Sequence, residues 1–347
     1  MKILRLIRKI LSRILFNRSF LKIYGSVINI LLFNPIIRPL TKILAKKGFF
    51  EKKIQSVLFD HQRFVELWID MKMIDIISNK KFLLFISRFL RKDFKAPIFI
   101  IASPRSGSSI LHQTLSQNKD LSSLKRELDE FWHQFTKGSD QLDETDIASK
   151  DKRMIYTFFQ LISRDRPFID KTISNVLKIR FLHKLFLDAK FIFLQRKGQD
   201  TINSLINGWK HAQFVSPWFK GQLKDWHFVL LPDWKELIDK PVSLICAQQW
   251  LYCNKEILKN KRLVPRSNQI TIKYEDFIKN SIKITKSIFN FLDIQLDKET
   301  YKYAKELKPL PSNVVTAPKK DKWKTENKKE ITSLMYLITP TNKRMGY

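Results

Sequence analysis

The sequence predicts an α/β protein: a central parallel sheet flanked by helices, preceded by a helical amino-terminal region. Three observations carry this expectation. Short apolar runs, "IFIIA" at 98–102, "FIDKT" at 168–172, "KFIFLQ" at 190–195 and "QITIKY" at 269–274, alternate with longer stretches of helical period. That alternation is the pattern of parallel strands joined by crossover helices. The 347 residues are 44% hydrophobic and 12% aromatic, which is enough for a sizeable core. Finally, only 8 glycines are present, and no repeat or low-complexity tract interrupts the order.

The amino-terminal region reads differently from the rest. Between Met1 and Phe50 stand eleven Lys or Arg and no Asp or Glu. In "MKILRLIRKILSRILF", Ile3, Leu4, Ile7, Ile10, Leu11, Ile14 and Leu15 recur at helical spacing, with Arg5, Arg8, Lys9 and Arg13 between them. Two readings stand. One is a basic amphipathic helix lying on an anionic membrane surface; the other is a helix packed on the following domain with its basic face in water. The uncharged stretch from 23 to 37 has fifteen residues, fewer than the ~20 a spanning helix needs. No transmembrane anchor is expected. Nor is a signal peptide, because basic residues break the apolar start and no small-residue cleavage site follows.

From Gly48 to Arg91 the helical period continues, with "FVELWIDMKMIDIIS" as its centre, and "RKDFKAP" then reads as a linker. The chain thus divides into a basic helical region, 1–95, and a larger domain, 96–347. Cys246 and Cys253 lie in a helix-like stretch, about two turns or roughly 10.5 Å apart, too far for a disulfide. Unpaired thiols favour a reducing compartment, so the expected location is cytoplasmic, peripheral on the inner membrane face if the amphipathic reading holds.

The surplus of 64 Lys and Arg over 33 Asp and Glu leaves a net charge of +31. Such a surface attracts polyanions, whether nucleotide, nucleic acid or lipid, and charge alone does not choose among them. The run "PIFIIASPRSGSSILHQTL" is more selective. A buried strand delivers the chain to "SPRSGSS", and a helix from about Ser108 turns its free N–H groups and positive dipole end toward that loop. Gly107 permits a tight turn, Ser106, Ser108 and Ser109 add hydroxyls, and Arg105 supplies a planar fork for phosphate. A nucleotide kinase would need GxxxxGK[ST]; here Ser108 follows Gly107 and the first glycine is absent. Nor does a carboxylate end the strand "KFIFLQR" to hold a metal ion.

In "AKFIFLQRKGQDTINSLINGW", Arg196 directly follows a strand and Ser204 comes eight residues later. Together with "PRSGSS" this resembles the sulfotransferases that use 3′-phosphoadenosine 5′-phosphosulfate (PAPS). The stretch from "DKT" to "INSL", "AQQWLYCN", "ITIKYEDFIKN" and the closing "DKWKTENKKEI" and "RMGY" are similar to the same family, in the branch called the third sulfotransferase group. The resemblance covers about Ala96 to Tyr347. It implies a P-loop-like fold, PAPS as donor and no required metal. It also implies that the first loop cradles the 5′-phosphosulfate while Arg196 and Ser204 hold the 3′-phosphate. Lys322, with Trp323 in "KDKWK", resembles a basic-aromatic element that folds over the cofactor, although the glycine-rich motif of the cytosolic small-molecule enzymes is missing.

By the same resemblance Lys171 in "DKT" is the lysine beside the sulfuryl group; without it, Lys171 reads as one surface lysine among many. A hydroxyl acceptor also needs a base. In "SSLKRELDEFWHQF" the candidates are Glu127, Glu130 and His133, with Asp129 shorter. Glu127 lies eighteen residues after Ser109, near the spacing of glutamate-using branches, and is chosen. On a helix Glu127 and Glu130 would share a face, and spacing alone does not separate them. His112 reads as a packing or hydrogen-bonding residue, and Tyr274 as a residue that closes the core or orients a loop. The expected partner is a small-molecule, glycan or lipid acceptor, with an anionic membrane surface as a second partner. Phe214, Trp218, Phe219, Trp226 and Trp234 are either an apolar wall for that acceptor or ordinary core. Two rivals stand: a P-loop-type kinase, which explains the loop but not its missing lysine, and a non-enzymatic basic protein binding membrane or nucleic acid, which gives no reason for Arg196 and Ser204 to follow a strand at that spacing.

Overall fold

The computed structural model describes residues 77–88, 94–124, 126–143, 145, 147–163, 166–210, 226–307 and 321–347. The expectations for Met1 to Phe50, and for the helical stretch up to residue 76, fall outside them. The described chain opens with α1 (Lys80–Ile86), capped by the Asn79 side chain, which accepts from the N–H groups of Lys81 and Phe82. There follow β1 (Ile98–Ala102), α2 (Ser108–Leu115), β2 (Ser122–Ser123), α3 (Asp129–Trp132), α4 (Ser149–Ser163) and β3 (Phe168–Asp170). Next come α5 (Ile179–Leu185), β4 (Lys190–Gln195), α6 (Gly198–Lys210), α7 (Val242–Asn260), β5 (Gln269–Lys273), α8 (Tyr274–Lys279), α9 (Ser281–Leu292) and α10 (Lys298–Glu306). The described chain closes with α11 (Trp323–Glu326), α12 (Lys328–Ser333) and α13 (Met335–Arg344).

The strands form one sheet in the order β2-β3-β1-β4-β5, and every pairing is parallel. The four apolar runs are all strands. The short edge strand β2, Ser122 and Ser123 against Phe168 and Ile169, carries no apolar pattern of its own. Residues alternate across the sheet because successive side chains of a strand point to opposite faces. Phe99 and Ile101 of β1, with Phe191 and Phe193 of β4, enter one core; Ile98, Ile100 and Ala102, with Ile192 and Leu194, enter the other. The first core is aromatic: Phe131 stacks on Phe158 at 3.8 Å, and Phe99, Phe159 and Phe186 meet edge-on or tilted. The second is aliphatic, closed by Leu111 and Leu115 of α2, Phe277 of α8 and Ile288 of α9. A third cluster joins α6, α7 and α13 through Ile202, Leu205, Trp250 and Ile338.

Ile77 and Leu83 are buried in the aromatic core. Phe94, within the stretch that reads as a linker, packs edge-on against Tyr156 at 4.8 Å. Cys246 and Cys253 lie buried and unpaired in α7. Among the described residues no helix is long and apolar enough to cross a membrane.

This topology places the site. The chain leaves β1 first toward β2 and β3, and later returns to its other side as β4 and β5. In parallel sheets, ligands bind at the carboxyl ends of strands where the order reverses in this way. The segments following β1, β3, β4 and β5 begin with Ser103, Lys171, Arg196 and Tyr274, and all four meet at that edge.

Candidate active site

The loop after β1 is folded by its own serines. Ser103 and Ser106 share a hydroxyl hydrogen bond of 2.7 Å, and both are buried. Two residues then turn into the left-handed region, Arg105 with φ 64° and Gly107 with φ 94°. At Gly107 a side chain is excluded by conformation and by space, because a Cβ would stand 2.3 Å from Cδ2 of Tyr274. Gly107 is the N-cap of α2, and no side chain caps that helix. Its first N–H groups, with the hydroxyls of Ser108 and Ser109, therefore keep their donor capacity toward the loop.

Arg105, Arg196 and Ser204 come from three segments and converge. Arg105 Nε donates to Ser204 Oγ at 3.1 Å, and Arg196 Nη1 donates to the Arg105 carbonyl at 2.9 Å. The Arg196 guanidinium lies 4.4 Å above the Tyr274 ring, whose other neighbour is Gly107, so Tyr274 orients the loop. Burial, and after it the charge of Arg196, push Arg105 below the ordinary guanidinium value. Arg196 Nε is buried without a hydrogen-bond partner. Two like charges and an unused buried donor make a place that an anion would complete.

Lys171 and Glu127 meet at the other end. Lys171 Nζ donates to Glu127 Oε1 at 2.5 Å and to Ser109 Oγ at 3.3 Å. Glu127 Oε2 accepts from the N–H of Ile173 at 2.8 Å. A second bridge runs beneath, where the N–H of Leu128 donates to Thr172 Oγ1, which donates to Asp170 Oδ1. The expectation that Glu127 and Glu130 share a helical face is corrected here. The helix α3 begins only at Asp129, Glu127 lies in the irregular segment before it, and Glu130 pairs with Arg126 at 2.7 Å. Asp129 is directed away, accepting from Ser174 Oγ, and burial followed by the charge of Glu127 pushes it up to about 8. His133 bonds Asp140. His112 is pushed down to about 3 by burial and then by the Lys171 charge, and its ring meets Ser116 Oγ at 3.3 Å.

Lys322 pairs with Glu326 at 3.2 Å, and Glu326 accepts from Asn203 and Asn207 of α6, the helix that carries Ser204. Trp226 is buried in the core, and the half-buried rings of Trp209 at 5.4 Å and Trp234 at 5.9 Å pack against it. Phe214, Trp218 and Phe219 lie outside the described residues. Sequence reasoning missed the bridge through Asp170 and Thr172, for which a local signal is the Asp and Thr that flank Lys171 at the end of an apolar run.

The model of the sulfotransferase family matches residues 97–298, a span that holds the loop, Glu127, Lys171, Arg196 and Ser204. The chain belongs to the sulfotransferase family. As a member it is a sulfotransferase enzyme. Among solved structures it is similar to the sulfotransferase STF9 of Mycobacterium avium, with 14% identity and a TM-score of 0.52 over 79% of this chain and 84% of that one. At that identity the likeness concerns the fold. The mouse sulfotransferase SULT7A1 complexed with PAP is 17% identical, with a TM-score of 0.43 over 77% of this chain and 90% of that one. No curated protein matches the chain.

Proposed function

We propose that this sulfotransferase takes its sulfuryl group from PAPS and passes it to a hydroxyl, or an amine, of a carbohydrate, lipid or other metabolite. The observation that supports the donor is the convergence of Arg105, Arg196 and Ser204 beside the uncapped start of α2. The donor set suits a doubly phosphorylated nucleotide: planar cations, hydroxyls and backbone N–H groups. Ser106, Gly107, Ser108, Ser109 and Arg105 would hold the 5′-phosphosulfate. Arg196 and Ser204 would hold the 3′-phosphate, and Lys322 would close over the nucleotide. Ser204 Oγ already accepts from Arg105, which leaves its own proton for a phosphate oxygen.

PAPS supplies a sulfuryl group on a phosphate leaving group. Glu127 takes the proton of the acceptor as its oxygen or nitrogen bonds to sulfur, and Lys171 neutralises the negative charge that collects on the released phosphate oxygen. Ser109, within reach of Lys171, ties that ammonium to the phosphate loop. Turnover of labelled PAPS against a panel of hydroxyl and amine acceptors identifies the acceptor. Failure to bind the product 3′-phosphoadenosine 5′-phosphate (PAP), beside firm binding of ATP with magnesium, would replace this reading by the kinase one.

The first fifty residues are proposed to bring the enzyme to an anionic membrane surface on the cytoplasmic side. Their eleven basic residues and absent acids support this, since each Lys or Arg near such a surface contributes about 1 kcal/mol. Co-sedimentation of the full chain with anionic liposomes should weaken as salt rises. Equal recovery in the supernatant with and without residues 1–50 would favour a helix docked on the domain.

A further inference from the structure

Glu275, next to Tyr274 in the motif after β5, and the closing "RMGY" have so far no task. In the fold they meet at the turn that presents Arg196. The N–H of Lys197 donates to Glu275 Oε1 at 3.1 Å, and the N–H of Gly198 donates to Asn342 Oδ1 at 3.0 Å. The Asn342 amide donates in turn to Gln199 Oε1 at 2.9 Å. The second oxygen of Glu275 accepts from the Tyr347 hydroxyl at 2.7 Å. Lys273 steadies Tyr347 twice: its Nζ donates to the Gly346 carbonyl at 2.6 Å and lies 4.7 Å above the Tyr347 ring.

We propose that Glu275, Asn342 and Tyr347 form a latch that positions Arg196 for the 3′-phosphate of the nucleotide. The inference rests on the PAPS reading above. The N–H groups of Lys197 and Gly198 at the start of α6 are occupied by protein side chains, so the turn itself offers an anion no backbone donor at these two positions and presents the Arg196 side chain instead. How tightly the nucleotide is held then depends on where the turn sets the guanidinium. The latch fixes that turn from two sides, through Glu275 on the strand-β5 side and through Asn342 on α13. Close packing reinforces it, since a Cβ on Gly198 would stand 2.7 Å from Ile338 of α13 and 2.8 Å from Trp250 of α7. Burial, and then the bond to Glu275, push the Tyr347 phenol up, so it stays protonated and keeps donating. None of the three side chains needs to touch the nucleotide, which makes them positioning residues.

Calorimetry on the full chain with PAP and with 5′-AMP, which lacks the 3′-phosphate, tests the latch. The wild type should prefer PAP. Tyr347→Phe keeps the ring on Lys273 and removes only the hydroxyl; it should weaken PAP about five- to tenfold and leave 5′-AMP unchanged. In steady state, KM for PAPS should rise with kcat retained. Glu275→Ala should behave alike, whereas Glu275→Gln, which can still accept from Lys197 and bond the Tyr347 oxygen, should recover most of the affinity. In an Arg196→Ala background Tyr347→Phe should add nothing, because the latch acts through that side chain. An unchanged preference for PAP over 5′-AMP in Tyr347→Phe and Glu275→Ala, or losses additive with Arg196→Ala, would overturn the latch while leaving the donor intact. A wild type with no preference for PAP would overturn the donor reading and the latch with it.

Discussion

At the β3 end of the site Lys171 meets Glu127 at 2.5 Å, opposite charges in contact; at the β4 end Arg196 bonds the backbone of Arg105, bringing two like charges together. The first arrangement suits a place where charge moves during a reaction. Each partner holds the other in position and each can be drawn off by a reacting group. In the second, burial and after it the charge of Arg196 push Arg105 below the ordinary guanidinium value, and a bound anion would favour both charged forms. In the proposed function one end serves chemistry and the other binding, so substitutions at the two ends should affect different quantities.

The largest effect is expected at the chemistry end. Lys171→Ala should lower turnover by about 10²- to 10³-fold, the scale of losing a group that stabilises developing charge, with PAP affinity nearly retained. Glu127→Gln should lower turnover by about 10²-fold or more as a base is lost. Glu130→Gln should not, since its carboxylate is engaged by Arg126. The opposite result, with Glu130 essential and Glu127 dispensable, would break the comparison on its chemical side.

Binding-end effects come next. Arg196→Ala should weaken PAP by about 1.5–3 kcal/mol, the range for hydrogen bonds to charged groups, with little change in kcat at saturation. Ser204→Ala should cost less, about 0.5–1.5 kcal/mol. A loss in kcat without a loss of affinity in either variant would erase the division of labour.

A last effect, on stability rather than on binding or turnover, concerns His112, which is half-buried beside Lys171. Burial, and then the Lys171 charge, push it down to about 3 in the folded protein from the ordinary imidazole value of about 6.5. The stability it contributes is therefore present above 6.5 and is lost as pH falls toward 3. Thermal melts between pH 7 and pH 5 should show a smaller fall in Tm for His112→Asn than for the wild type. Parallel curves would show that this ring takes up its proton without cost.

The same contrast governs what could be read in the sequence. Strands β1, β3 and β4 were legible because strands covered on both faces need apolar runs, and the edge strand β5 by the alternation of Ile270 and Ile272 with polar residues, whereas the two-residue β2 has no room for a pattern. That Arg105 and Arg196 stand after strands, with Ser204 in the helix that follows β4, was legible because strand ends can be located; their convergence is what the fold adds. The choice between Glu127 and Glu130 was not legible. It depends on where α3 begins, and the bond from Leu128 N–H to Thr172, 44 residues away, helps decide that. The Glu275 and Tyr347 contact joins residues 72 apart, a separation at which local periodicity carries no information.

The most direct test of the division between binding and chemistry is a titration of PAP into the wild type, Arg196→Ala and Lys171→Ala in EDTA, with ATP and magnesium as the comparison. The account predicts saturable PAP binding by the wild type without metal, at least tenfold weaker binding in Arg196→Ala, near wild-type binding in Lys171→Ala, and no comparable binding of ATP with magnesium. Equal PAP affinity in the wild type and Arg196→Ala, or a preference for ATP with magnesium, would contradict it.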